Sequence, residues 1–225
     1  MNLTPRLEAI YSLVDNGEKT IDIGCDHAYL SIELIKRGKS DFAIAVDNKI
    51  GPLESARGNI KNANLEDKIE LILSDGLKNV HSNYDVVIMS GLGGELIKSI
   101  LENGPLDRSA SLILEPNNSS DVVRRFLMDN SYEIVNEMIV REKDRFYELI
   151  KAIPSERIIP LDEYEIFFGP INLKRKENEF INYVNKNIDI FRKKAGSGPI
   201  PKSLDEKIKF YEGAISYVKS ETNLW

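Results

Sequence analysis

The chain has 225 residues, of which 42% are hydrophobic and 29% charged, and its formal net charge is −6 at pH 7. This length suffices for one large domain with a small appendage, no apolar stretch could span a membrane, and residues 1–6 lack the charged-then-apolar pattern of a signal peptide. The single cysteine, Cys25, excludes an internal disulfide and, with only two histidines, argues against a zinc site, so we expect a metal-independent protein of the reducing cytoplasm.

The charge is unevenly distributed along the chain. Residues 172–225 have a net charge of +4, whereas the remaining 171 residues have −10. An acidic body with a basic appendage is compatible with a polyanion bound at one end. A lysine-rich, solvated helical surface is the alternative, and charge alone does not decide between them.

Strand and helix patterns alternate through the first 130 residues. Thr4 and Pro5 predict the cap and first residue of a helix, and a helix beginning near position 119 or 120 is capped by Ser119 or Ser120. Repeated strand–helix alternation predicts a parallel sheet with helices on both faces. The predicted strands are 20–23, 42–46, 69–73, 85–89 and 111–114, and the later helices are 28–36, 51–60, 91–101 and 119–128.

Two further strands follow, at 132–141 and 146–153. The four-residue link between them is too short for a crossover helix, so they are predicted to be antiparallel neighbours. A mostly parallel, seven-stranded, Rossmann-like α/β sheet that ends in an antiparallel hairpin is typical of class I methyltransferases. We assign this domain to residues 1–156.

Residues 157–225 are predicted to form a C-terminal helical-hairpin, coiled-coil-like appendage. Two apolar stripes have helical spacing, and the Gly- and Pro-rich segment 195–201 separates them. Basic residues are predicted to lie at the ends of the first helix. The stripes are Phe180, Val184, Ile188 and Phe191, then Ile208, Tyr211, Ile215 and Val218; the basic residues are Lys174, Arg175, Lys176, Arg192, Lys193 and Lys194.

The segment 20–30 is the most informative motif. An apolar strand runs into Asp22, the single glycine Gly24 and Asp26 before a helix begins, a pattern that opens a binding crevice in α/β sheets. A dinucleotide fingerprint would need three glycines and no carboxylates beside the pyrophosphate. The acidic turn instead suits a cationic nucleoside without phosphate, such as S-adenosylmethionine. An ordinary strand-to-helix loop is the alternative, and Cys25 is interpreted as a small turn residue rather than a nucleophile.

Acidic residues also end the next two strands. Asp47, followed by Asn48, is placed to bind ribose hydroxyls, and Asp75 is placed to accept from an adenine amine while Gly76 turns the chain before Leu77. Helix capping or turn formation is the alternative for each Asp. The fourth strand leads into a glycine-rich loop at Gly91, which is not followed by the Gly-Lys-Ser/Thr of a phosphate-binding loop.

Together these motifs resemble the bacterial tRNA (adenine-N1)-methyltransferases that modify adenine 22. The D-I-G-x-D-H-A-Y-L run at 22–30 and the G-x-G-G-x-L-I run at 91–97 carry the resemblance, which extends from about 3 to 153. Supporting matches are Gly51-Pro52, 74–77, 112–117, Tyr147-Glu148 and Phe168-Gly169-Pro170. The family pattern usually has Glu, Met and Gln where this chain has Asp47, Leu92 and Glu115.

The resemblance implies a methyl transfer from S-adenosylmethionine to tRNA. Asp26 would stabilise the cationic product or accept a proton from the exocyclic amine, with His27 or Tyr29 stacking on or orienting the base; the alternative is that Asp26 caps the next helix. The basic residues of the appendage would contact tRNA phosphates. No membrane or metal is expected, and a monomer is favoured. A small-molecule or protein acceptor, and an inactive cofactor-binding interaction module, remain alternatives. The implied cofactor-binding residues are Asp22, Gly24, Cys25, Asp26, His27, Asp47, Asn48, Asp75, Gly76, Leu77 and Gly91.

Overall fold

The computed structural model describes residues 3–196 and 199–219. Positions 1–2, Ser197 and Gly198 of the predicted linker, and 220–225 of the predicted appendage lie outside the described residues. The chain divides into two compact units, Met1–Pro160 and Leu161–Trp225. The division therefore falls a few residues after the boundary expected from the sequence.

The first unit is built on a sheet whose strand order is β3-β2-β1-β4-β5-β7-β6. The first five strands in this order are parallel, and β7 runs antiparallel to both β5 and β6. The described residues contain seven strands in this sheet, so the predicted parallel sheet with a terminal hairpin is confirmed. Its strands are β1 (Glu18–Ile23), β2 (Ser40–Asp47), β3 (Ile69–Leu73), β4 (Val86–Leu92), β5 (Ser111–Pro116), β6 (Tyr132–Glu142) and β7 (Arg145–Pro154).

Helices cover this sheet because its central strands are apolar on both sides. Val86, Val87, Ile88 and Met89 are all fully buried, although alternate side chains of a strand point to opposite faces. The predicted cap is confirmed at Thr4, whose hydroxyl accepts from the backbone N–H of Leu7. The helices of this unit are α1 (Pro5–Leu13), α2 (Tyr29–Lys36), α3 (Ile50–Asn62), α4 (Gly94–Asn103) and α5 (Ser120–Asp129).

The strand order creates a crevice beside β1. From β1 the chain builds outward through β2 and β3 and then returns to form β4 on the other side of β1. Connections therefore leave β1 and β4 in opposite directions, and the carboxyl ends of these strands are open for a ligand.

Two boundaries differ from the sequence prediction. The helix predicted to begin at Gly91 begins at Gly94, because β4 continues to Leu92, which pairs with Pro116 of β5 after a register shift. Ser119 precedes α5 with a positive φ of 54° and makes no side-chain cap. Its backbone carbonyl accepts from Val122 instead, so the serine hydroxyl is not what starts this helix.

The second unit is helical and contains more than the predicted hairpin. Phe168, Phe180 and Tyr211 pack edge to face in its apolar centre. The prediction for Val218 was wrong: α9 ends at Ser216, Val218 is 81% exposed, and Ala214 is buried instead. Among the described residues this unit comprises α6 (Glu163–Phe168), α7 (Pro170–Arg175), α8 (Asn178–Ala195) and α9 (Lys202–Ser216).

The basic residues of this unit also lie differently from the prediction. Lys174 and Arg175 belong to the last turn of α7 and Lys176 is its C-cap, whereas Arg192, Lys193 and Lys194 form the last turn of α8. The glycine at 169 separates α6 from α7 with a φ of 91°, and it accounts for the short preceding helices that the apolar stripes did not indicate. No helix within the described residues is long and apolar enough to cross a membrane.

Candidate functional site

A cavity of about 450 Å³ lies at the carboxyl ends of β1 to β4. All three predicted catalytic residues, Asp26, His27 and Tyr29, line it. Leu77 alone of the predicted cofactor residues does not; it is 1% exposed and lies within ordinary packing distance of Gly104. The predicted cofactor residues that line the cavity are Asp22, Gly24, Cys25, Asp26, His27, Asp47, Asn48, Asp75, Gly76 and Gly91.

The turn after β1 forms the centre of the cavity floor. Gly24 has a φ of 80°, and its N–H and that of Cys25 both donate to the carbonyl of Val46, at 2.8 and 3.0 Å. These bonds fix the turn against β2. Burial, followed by the nearby charges of Asp22 and Asp47, raises the pKa of the Cys25 thiol, which opposes formation of a nucleophilic thiolate.

The next residues project from a constrained backbone. Asp26 and Ala28 have positive φ values of 50° and 56°, which non-glycine residues seldom adopt. Asn59 donates from its side-chain amide to the His27 carbonyl at 3.1 Å and so holds the loop from α3. Since strained conformations persist only where the surroundings enforce them, this loop has a fixed shape.

Three side chains of this loop form a group at the cavity. His27 Nε2 lies 3.5 Å from Asp26 Oδ1, and the rings of His27 and Tyr29 are 5.4 Å apart between centroids. The Asp26 side chain is 70% exposed and makes no cap for α2, whose N-cap is Ala28. The capping interpretation of Asp26 therefore has no support in this geometry, and its carboxylate remains accessible to a ligand.

Asp22 is the most deeply placed acid of the cavity. It is 5% exposed and accepts a hydrogen bond of 3.1 Å from the Ser31 hydroxyl. Burial raises the pKa of Asp22 to about 6; the Ser31 hydrogen bond opposes this shift and the charge of Asp47 adds to it. Asp22 is consequently an anion at pH 7 in a place where a cationic ligand group would stabilise it.

Two further acids lie at the ends of the outer strands. Asp47 accepts from the backbone N–H of Lys49 at 2.9 Å, and Asp75 pairs with Lys78 at 2.6 Å. Gly76 has a φ of 65°, and a Cβ there would lie 2.8 Å from the Ile100 side chain. The chain can therefore close beneath a flat ligand only with glycine at this position.

Sequence reasoning missed a cluster at the β4 and β5 side of the cavity. Glu115 is 0% exposed, and its Oε2 accepts from Arg6 Nη1 at 2.6 Å and from Ser90 Oγ and Gly91 N at 2.8 Å each. Arg6 and Ser90 line the cavity. Glu115 directly follows the apolar run of β5, as acids follow β1, β2 and β3, so that recurrence was an available signal.

The donor set favours a cationic, phosphate-free nucleoside. Four carboxylates, Asp22, Asp26, Asp47 and Asp75, face the same cavity, where they would repel a pyrophosphate. Within residues 3–196 and 199–219 no group of three His, Cys, Asp or Glu side chains is placed to hold a metal ion. The residues present fit S-adenosylmethionine, which combines ribose hydroxyls, an adenine amine and two cationic groups.

Comparisons with known proteins agree with this site. The family described as "Methyltransferase domain" matches residues 3–150. The tRNA (adenine(22)-N(1))-methyltransferase of Bacillus subtilis is 31% identical over 188 residues, which cover 80% of this chain and 79% of that protein.

Two solved structures share both units of the chain. The Streptococcus pneumoniae protein Sp1610 in complex with S-adenosyl-L-methionine has a TM-score of 0.87 and 32% identity, covering 95% of this chain and 100% of that one. M. capricolum TrmK in complex with S-adenosyl-homocysteine has a TM-score of 0.84 and 29% identity, covering 95% and 98%.

Proposed function

We propose that this chain, which belongs to the tRNA (adenine(22)-N(1))-methyltransferase family, transfers a methyl group from S-adenosylmethionine to N1 of adenine 22 in tRNA. The observation that carries the proposal is the convergence of Asp22, Asp26, Asp47 and Asp75 on one cavity at the carboxyl ends of the strands. A tRNA acceptor would place this activity in the cytoplasm.

The strand order supports an orientation for the cofactor. Asp75 and Gly76, after β3, would bind adenine; Asp47 and Asn48, after β2, would bind the ribose hydroxyls. Asp22 and the Gly24–Cys25 backbone, at the end of β1, would then face the methionine part. When bound, S-adenosylmethionine supplies an electrophilic methyl group on a positively charged sulfur.

The protein's own contribution is mainly alignment. Adenine N1 carries a lone pair and is already nucleophilic, so the cavity needs to orient the base and exclude water. Such positioning can contribute about 7–11 kcal/mol to lowering a barrier. Because N1 faces its pairing partner in folded RNA, the base must leave the stack to enter this cavity.

Asp26, His27 and Tyr29 are the proposed catalytic residues. Methylation makes adenine cationic, and the accessible Asp26 carboxylate would stabilise that developing charge or accept a proton from the exocyclic amine. His27 and Tyr29, with ring centroids 5.4 Å apart, would stack on or orient the base. The loop strain at Asp26 and Ala28 supports this assignment, since it holds all three side chains in place.

The helical unit is proposed to bind the tRNA backbone. Lys174, Lys193 and Lys194 are exposed and have no ion-pair partner among the described residues. The basic groups of α7 and α8 lie at opposite ends of the 18-residue α8, about 27 Å apart at 1.5 Å per residue. Phosphates spaced along an RNA helix could contact both groups.

Acceptor class is tested by offering the protein labelled S-adenosylmethionine with unmodified tRNA, with protein, or with small-molecule extract. We expect label in tRNA alone. Label in protein or small molecules would favour the other acceptor class. Cofactor binding by calorimetry without transfer to any acceptor would favour an inactive interaction module.

A further inference from the structure

Arg6 is a cation in an otherwise acidic cavity. Its Nη1 donates to Glu115 Oε2 at 2.6 Å and to Ser90 Oγ at 2.8 Å, and its Cζ lies 5.2 Å from the centre of the Tyr147 ring. Its Nη2 has no hydrogen-bond partner among residues 3–196 and 199–219. The side chain is 24% exposed and lines the cavity. The guanidinium is therefore fixed on one side and has donors left for a ligand.

The surroundings of Arg6 are rigid. Glu115 Oε2 also accepts from Gly91 N, and Asn117 donates from its backbone to Leu92 O at 2.8 Å and from its side chain to Gly91 O at 2.5 Å. These bonds join the ends of β4 and β5 into one surface. The guanidinium is thus held in position before any ligand arrives, which reduces the entropy lost on binding.

The end of the cavity nearest Arg6 carries both signs of charge. Asp22 at the end of β1 is an anion at pH 7, and Arg6 beside the end of β4 is a cation. An α-amino acid is a zwitterion, with an ammonium and a carboxylate on the same carbon. If adenine lies at β3 and ribose at β2, as in the proposed function on which this inference rests, the amino-acid part falls between β1 and β4.

We propose that Arg6 binds the carboxylate of the methionine part of S-adenosylmethionine, with Glu115 as the residue that positions Arg6. An anionic oxygen could also come from a phosphate of the tRNA. The cofactor carboxylate is favoured because Arg6 lies beside Gly91, whose Cβ position would be 3.6 Å from Arg6 Nη1, in the same wall as the Asp22 strand.

The test compares binding of S-adenosylmethionine and its decarboxylated analogue, which keeps the ammonium and the sulfonium. Calorimetric titrations are made on the unchanged protein, Arg6→Met, Glu115→Gln and the Arg6→Met/Glu115→Gln double variant. The double variant is needed because Arg6→Met alone leaves a buried carboxylate without its cation and can fail to fold.

In both Arg6 variants the dissociation constant for S-adenosylmethionine should rise about 10- to 100-fold, the range expected for a lost charge-assisted hydrogen bond, with little change for the decarboxylated analogue. Glu115→Gln alone should keep the discrimination between the two ligands, because Arg6 remains. A purely structural role would weaken both ligands equally in the Arg6 variants.

Three results would overturn the inference. They are equal weakening of both ligands, unchanged binding of both, and a rise in the tRNA KM with unchanged cofactor binding, which would assign Arg6 to an RNA phosphate. Failure of the unchanged protein to bind S-adenosylmethionine would remove the proposed function as well. Normal binding without discrimination would remove only the role of Arg6.

Discussion

Ser31 donates a 3.1 Å hydrogen bond to Asp22, and both side chains are buried between β1 and α2. This bond lowers the pKa of Asp22, but burial dominates and the pKa is raised to about 6. The carboxylate therefore changes charge close to neutral pH. Ligand binding and folding should respond to that change in opposite directions.

Cofactor affinity should fall as the pH drops through 6. Protonation of Asp22 removes the anion that faces the cationic part of S-adenosylmethionine, and the ionised fraction falls about tenfold for each pH unit below the pKa. Calorimetric titrations between pH 5 and 8 would measure this. Asp22→Asn should bind weakly with a flat profile over that range, whereas a profile unchanged by the substitution would contradict the role of Asp22.

Asp22→Asn should also stabilise the unliganded protein. The folded-state pKa lies above the usual value of 3.8, so the folded state is favoured by protonation, and the contribution is lost as the pH rises from about 4 to 6. Removing the charge should raise the free energy of unfolding at pH 7.5 by about 2–3 kcal/mol. Urea unfolding tests this, with the exposed Asp67→Asn as control; a lower stability for Asp22→Asn would count against the buried-charge account.

Asp26→Asn and Tyr29→Phe should each lower kcat. We expect about a 10²-fold loss for Asp26→Asn, because the carboxylate acts on charge that develops in the reaction, and a smaller loss for Tyr29→Phe. Affinity for S-adenosylmethionine should be nearly unchanged. Single-turnover kinetics with tRNA would measure this beside Asp67→Asn and Tyr11→Phe, and full activity in either variant would remove the proposed role of that residue.

Gly94 should not tolerate a side chain. A Cβ there would lie 2.3 Å from the Ser119 carbonyl oxygen and 2.8 Å from that of Asn118, where the β4 and β5 loops meet. Gly94→Ala should therefore destabilise the fold by more than about 2 kcal/mol and weaken cofactor binding. Gly58→Ala, in the exposed middle of α3 with open space around it, should stabilise by about 0.5–1 kcal/mol. Equal effects in urea unfolding would contradict this difference.

Lys193→Gln/Lys194→Gln should weaken tRNA binding and its dependence on salt. Each lost phosphate contact lowers the slope of log affinity against log salt by about one. Filter-binding measurements from 50 to 300 mM salt would give the slopes. Lys61→Gln/Lys68→Gln makes the same charge change on α3 and the segment before β3. Indistinguishable slopes for the two pairs would exclude α8 as an RNA-binding surface.

The sheet was predictable because its information is local. Apolar runs such as 42–46 and 85–89 need only burial to become strands, and their carboxyl ends meet at one edge in any parallel arrangement. The acids Asp22, Asp47 and Asp75 were therefore predicted to share a cavity, and the structure brings them together.

Long-range contacts were not predictable from those patterns. Arg6 reaches Glu115 across 109 positions, and nothing in the amphipathic pattern of α1 indicates that its second residue enters the cavity. Leu77 was placed in the site because it follows Asp75 and Gly76, but the turn at Gly76 directs it into the core. Val218 matched a helical spacing that continued on paper beyond the end of α9.

The most direct measurement is the position of the transferred methyl group. The protein is incubated with S-adenosylmethionine and an unmodified tRNA, and the digested RNA is examined for 1-methyladenosine by mass spectrometry. The account predicts 1-methyladenosine at position 22 and its loss when adenine 22 is replaced by guanine. A methyl group at another position, or a signal that survives the replacement, would contradict it.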